Sequence, residues 1–188
     1  NNFRLWQSES GPLNMGGTNE DLILQIAARI VKDMKEMKPE AWIDWQIAGD
    51  QSPVWALIVG NYSDISHPVS KADSYYIRSQ FSRFIKPGYT IVDCKDPNTL
   101  AAINPDKTEL VLVICNETSA TVSHSYNLEA FQTAGPAIQR YRSGKVNDSY
   151  YERLAKINVT LSGKVLDYIA PKYSVTTFVI PVQVSTST

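Results

Sequence analysis

The chain has 188 residues, 43% of them hydrophobic and 20% charged, a composition that supports one large or two small folded units around an apolar core. Eighteen basic against nineteen acidic residues leave a net charge of -1, so there is no electrostatic case for a nucleic acid or an anionic membrane as partner. No window reaches the roughly 18 consecutive apolar residues of a membrane span, and the first residues lack the basic segment and apolar core of a leader peptide. Cys94 and Cys115 stand next to neither a histidine nor a second cysteine, which leaves no zinc or redox motif. They read as core thiols, with a disulfide as the alternative. Four Asn-X-Ser/Thr triplets, at Asn61, Asn116, Asn147 and Asn158, carry meaning only in a secreted eukaryotic protein and are set aside.

Phe3 to Glu9 alternates like a strand, with Phe3, Leu5, Gln7 and Glu9 on one face, and gives way to the glycine- and proline-containing stretch Ser10 to Gly17. Glu9 therefore caps a strand end. Trp6, on the opposite face, is expected to pack. Thr18 followed by Asp21 resembles a capping box that opens a helix, whose apolar positions Ile23, Ile26, Ala27, Ile30, Met34 and Met37 follow three-four spacing up to Pro39. Ala41 to Ile47 (AWIDWQI) is rich in β-favouring residues and reads as the next strand. Asp50 to Lys71 reads as a long polar loop holding Trp55, Tyr62 and His67. Ser74 to Lys86 reads as a helix with Ile77, Phe81, Phe84 and Ile85 inward, stopped by Pro87-Gly88.

From Tyr89 the period becomes two. YTIVD, LAAI, ELVLVIC, TVSHSYNL, AIQRYR, KINVTL, KVLDYIA and SVTTFVI are separated by turn clusters such as Asn104-Pro105-Asp106-Lys107 and Ser143-Gly144-Lys145. Such spacing indicates an antiparallel sandwich or barrel. Ser149 to Ile157 fits a strand and a helix equally well. The reading is α/β plus all-β: a partial parallel βα segment over residues 1–88 and an antiparallel β-sandwich over residues 89–188.

WQSESG around Glu9, WIDWQ at Trp42 to Gln46, SQFSRFIKPGY at Ser79 to Tyr89 and SVTTFVI at Ser174 to Ile180 together resemble the C-terminal part of glycoside hydrolase family 30. That family includes endo-β-1,6-galactanases, glucuronoxylanases, β-1,6-glucanases and glucocerebrosidases. The resemblance implies the last two βα units of a (β/α)8 TIM barrel, strands seven and eight with their helices, followed by a side β-sandwich. It makes Glu9 the catalytic nucleophile, since barrel enzymes carry reacting groups at the C-terminal ends of strands. It makes Trp45 a residue lining the sugar subsite, where an aromatic face meets the apolar face of a sugar ring. Trp55, in the loop after strand eight, is a further candidate for substrate contact. Asp44 alternates away from Trp45 and is a poor substitute acid, and His124 reads as structural.

Family members are retaining enzymes that need a second carboxylate, the acid/base on strand four, about 5 Å from the nucleophile. The resemblance puts that glutamate and strands one to six outside these residues. It implies a polysaccharide or oligosaccharide substrate, no metal or cofactor, and an extracellular or periplasmic location. Other readings remain: a non-catalytic carbohydrate-binding β-sandwich fragment, or a barrel completed by another chain or copy. Two parallel strands with open edges invite pairing, so self-association or a companion N-terminal fragment is expected.

Overall fold

The computed structural model describes residues 4–11, 19–50, 54–66, 68–147, 150–161 and 163–184. In chain order the first part contains β1 (Trp6–Gln7), α1 (Asn19–Glu36), β2 (Ala41–Trp42), β3 (Ala48–Asp50), β4 (Ile58–Gly60), β5 (Val69–Lys71) and α2 (Asp73–Ser82). Then come β6 (Thr90–Val92), β7 (Thr99–Ile103), β8 (Glu109–Asn116), β9 (Val122–Asn127), β10 (Thr133–Ala134), β11 (Ala137–Asn147), β12 (Tyr150–Thr160), β13 (Val165–Ala170) and β14 (Ser174–Gln183). The chain is mostly strand, with these two helices among the described residues.

The centre is a seven-stranded sheet in the order β12-β11-β14-β8-β7-β6, with β10 added beside β14. Its central strand β8 is buried on both sides, which is why ELVLVIC reads as a continuous apolar run. Val111, Val113 and Cys115 point to one face, where they meet Ile23, Leu24, Ile26, Ala27, Ile30 and Val31 of α1 and Ile77 and Phe81 of α2. Leu110, Leu112 and Ile114 point to the other, where Tyr126 of β9 and Leu166 of β13 cover them. The antiparallel pair β9–β13 thus forms a second small sheet over the first, and the helices form a third layer on the opposite face.

Short strands were expected from Tyr89 onward, and β6 to β9 and β11 to β14 occupy those segments. Of Ser149 to Ile157, the described residues, from Tyr150 on, are strand: β12 pairs along its length with β11. Ser143-Gly144-Lys145 is no turn. It lies within β11 at a register shift, where a Cβ on Gly144 would lie 2.7 Å from Ser174 Cα and 2.9 Å from its Cβ. The closeness of β14 explains the glycine, whose turn-forming reputation misleads here. Asn104, by contrast, does make the expected turn, its Oδ1 accepting from the N–H groups of Thr108 and Glu109.

Four expectations in the first part need correction. Ala41 to Ile47 is not one strand: only Ala41–Trp42 pairs with β1, and the chain turns so that Ala48–Asp50 pairs parallel with β4 in a separate three-stranded sheet, β3-β4-β5. Asp50 to Lys71 is therefore not simply a loop, and Val54 and Ala56 within it are buried. Met37 follows the end of α1 and is exposed rather than inward. The expected α2 ends four residues early, at Ser82. Phe3 and the Thr18 cap lie outside the described residues. Both cysteines are free, Cys115 in the core and Cys94 half-buried.

Candidate active site

Glu9 follows β1, which runs parallel to β2 with Trp6 opposite Ala41 and Gln7 opposite Trp42. The flanking backbone stays attached: Glu40 N–H donates to Leu5 O at 2.8 Å, Ile43 N–H to Gln7 O at 2.9 Å and Trp45 N–H to Ser10 O at 2.9 Å. Between the last two bonds the first segment is one residue longer than the second. The extra length falls at Ser8 to Ser10, where Ser10 is buried, Glu9 is exposed, and the Gln7 side-chain amide donates to Glu9 O at 2.7 Å.

This local irregularity brings both predicted tryptophans to the Glu9 segment. Trp45 is tied to Ser10 through its N–H, and its side chain is half-exposed. Trp55 lies against Gly11, where any Cβ would collide with its six-membered ring, and its carbonyl accepts the Gln46 N–H at 2.9 Å. Glu9, Trp45 and Trp55 are thus gathered within two residues of one another's anchors. The peptide bond between Trp45 and Gln46 is cis.

The residues alternating with Trp45 face the helices. Trp42 donates its indole N–H to Asp33 of α1 at 3.1 Å, and Asp33 is also held by Arg29. Asp44 forms an ion pair with Arg78 of α2. Burial pushes the Asp44 carboxyl above its ordinary range against the pull of Arg78, and burial pushes the Arg78 guanidinium down against the pull of Asp44. Asp44 is therefore committed to the helix layer, as its alternation with Trp45 implied.

Trp6 was expected to pack, yet it is 63% exposed, because among the described residues nothing covers that face of β1. Tyr62 is exposed and its N–H donates to Asp50 Oδ1; His67 lies outside the described residues. The His124 side chain is buried and held in the fold: its Nδ1 pairs with Asp96 Oδ2 at 2.7 Å, which also accepts from the Tyr126 hydroxyl at 2.9 Å and the Thr99 hydroxyl at 3.0 Å. Among the described residues no cluster of histidine, cysteine and carboxylate side chains could hold a metal. No described helix is long and apolar enough to cross a membrane. The roles of Ser10, Gly11 and Gln46 escape sequence reading. Ser-Gly-Pro after Glu9 signals a loop, but backbone contacts leave no side-chain signature.

An endo-β-1,6-galactanase from Hypocrea rufa is 30% identical over 132 residues, 70% of this chain and 26% of that protein. The glucuronoxylanase XynC of Bacillus subtilis is 27% identical over 138 residues, 71% of this chain and 31% of its own length. A crystal structure of a glycoside hydrolase family 30 subfamily 8 xylanase from Clostridium acetobutylicum superposes with a TM-score of 0.73, covering 95% of this chain and 42% of that one. The chain is related to glycoside hydrolase family 30. At 24% identity the crystal structure supports the family 30 fold alone. The chain spans about a quarter to a third of the two sequence relatives. No family model matches the chain.

Proposed function

We propose that this chain is the C-terminal segment of a retaining family 30 glycoside hydrolase acting on a β-linked polysaccharide of the β-1,6-galactan type. Glu9 is its nucleophile, and Trp45 and Trp55 contact the sugar. The observation that carries the reading is the gathering of both tryptophans on Ser10 and Gly11, directly after Glu9. The galactanase among the relatives supports the substrate type. In this reading β1, α1, β2 and α2 are the last two βα units of the barrel, and residues 89–188 are its side sandwich. The location is extracellular or periplasmic.

The chemistry is double displacement. The Glu9 carboxylate attacks the anomeric carbon while a second carboxylic acid protonates the departing glycosidic oxygen, giving a glycosyl ester on Glu9. The second group, now a carboxylate, takes a proton from water, which attacks the anomeric carbon and frees Glu9. Glu9 and Trp45 are exposed and Trp55 is partly so, which leaves this segment open to a sugar ring that stacks on an indole face. Asp44, turned to Arg78, is not that second acid, which comes from outside residues 1–188.

The test is reducing-sugar release from β-1,6-galactan, glucuronoxylan and β-1,6-glucan. Three samples are compared: the chain alone, the chain mixed with a polypeptide carrying the preceding barrel strands of a family 30 relative, and that mixture with Glu9→Gln. Release is expected from the mixture on β-1,6-galactan, reduced by roughly a thousandfold or more in the variant. Activity of the chain alone would place the acid/base within it. Undiminished activity of the variant would remove Glu9 from the mechanism.

A further inference from the structure

A cavity of about 320 Å³ lies behind the segment that carries Trp45, between the two helices and β7. Ile30, Met34, Phe81 and Leu100 give it an apolar body, and Asp44 and Arg78 stand in its wall. The side chain of Arg78 is only 7% exposed. Its Nε is ion-paired with Asp44 Oδ2, and among the described residues Nη1, Nη2 and Asp44 Oδ1 are buried with neither an ion-pair nor a hydrogen-bond partner, while the Nε–Oδ2 contact itself is an ion pair without hydrogen-bond geometry. Buried N–H groups and carboxylate oxygens left unpaired are costly, the more so when charged, so this wall has unmet demand for both an acceptor and a donor.

We infer that this cavity is a binding site for a small neutral alcohol with an apolar ring or chain. One hydroxyl meets both demands, its oxygen accepting from an Arg78 Nη–H and its proton donated to Asp44 Oδ1. The apolar body fills the space between Ile30, Met34, Phe81 and Leu100. A neutral ligand leaves the net charge of the ion pair unchanged, whereas a carboxylate would add an uncompensated negative charge beside Asp44. The volume suits a molecule of about six to eight carbons, since apolar cavities of about 150 Å³ already admit benzene. A sugar, polar all round, would leave most of its hydroxyls unpaired against this lining. The site is thus separate from the proposed sugar-binding face and does not depend on it. Because Asp44 immediately precedes Trp45, occupancy fixes that segment from behind.

The chain has three methionines, at positions 15, 34 and 37; Met34 lines the cavity and Met37 is exposed outside α1. Methyl-labelled methionine NMR of the whole chain, titrated with cyclohexanol and then with methylcyclohexane, reads the site directly. The Met34 methyl is expected to shift saturably while Met37 stays in place, and cyclohexanol is expected to bind at least threefold more tightly, the scale of one net hydrogen bond. Absence of a saturable Met34 shift, or a smaller preference for the alcohol, overturns the inference and leaves a cavity occupied by water alone. Leu100→Phe, which fills the space, should abolish the shift. If that variant does not fold, the pair of titrations on the unsubstituted chain decides.

Discussion

Glycine at position 11 is the residue on which the geometry of the candidate site turns. The indole of Trp55 occupies the place of a side chain there, so Gly11→Val must displace the ring or the backbone that follows Glu9. Overpacking of this kind costs about 1–3 kcal/mol. A lowered thermal midpoint with red-shifted tryptophan emission is the expected outcome, and unchanged emission would mean that Trp55 does not rest on Gly11. A second single-residue expectation concerns acid. Burial works to raise the Asp96 carboxyl, but hydrogen bonds from Asn98 N–H, His124, Tyr126 and Thr99 together outweigh it and hold the group below the usual carboxylate range. A carboxyl depressed in the folded state stabilises the protein above its unfolded pKa, near 3.9, and that stability is lost as pH falls through the lower folded value. Asp96→Asn should therefore cost about 2 kcal/mol at neutral pH and flatten the decline of stability below about pH 4. Urea unfolding of both proteins from pH 6 to pH 3 measures it, and parallel curves would show that Asp96 is not the titrating group.

At the scale of elements, legibility followed length and burial. The three-four spacing of α1 was visible because one face meets the core, and β7, β8 and β14 were visible because their apolar runs are long. Three-residue strands such as β3, β4 and β5 are too short to show a period of two, which is why the stretch from Asp50 to Lys71 reads as loop. The break after Trp42 was hidden for another reason: IDWQI has strand composition, but its backbone N–H groups donate first to Gln7 and Ser10 and then to Trp55, a change of partner that no local pattern records. In the candidate site, Glu9, Trp45 and Trp55 were named from the sequence by resemblance, whereas Ser10, Gly11, Gln46 and the Arg78 partner of Asp44 act through contacts that no local pattern records. Gly144 joins an element-level prediction to this lesson. Its lack of a side chain lets β11 lie against β14 at the bulge, so Gly144→Ala should lower the thermal midpoint by several degrees, corresponding to about 1–3 kcal/mol. An unchanged midpoint would mean that β11 can shift its register at no cost.

The whole molecule is well closed on one side and open on the other. Helices, seven-stranded sheet and the β9–β13 pair bury two apolar clusters, one on each face of the sheet. Among the described residues the face of the β1–β2 ribbon turned away from the helices has no such cover: Trp6 on it and Leu5, Ile43, Trp45 and Ile47 beside it are all exposed, Ile47 to 71%. A two-stranded parallel ribbon with apolar residues on its surface and unpaired outer edges is unusual in a stable monomer, because parallel sheets are ordinarily buried on both faces and edges recruit further strands. Self-association of the isolated chain through this ribbon is therefore expected, with a sedimentation-derived mass that rises with concentration. Trp6→Lys on the ribbon and Ile47→Lys beside it add charge without touching either buried cluster, and should return the chain toward monomer while leaving its stability within about 0.5 kcal/mol of the original. A polypeptide supplying the neighbouring barrel strands should compete for the same surface and dissolve the self-association without any substitution. A chain that stays monodisperse and monomeric at high concentration would mean that the ribbon is stable uncovered, and the proposal that further strands complete it would lose its physical ground.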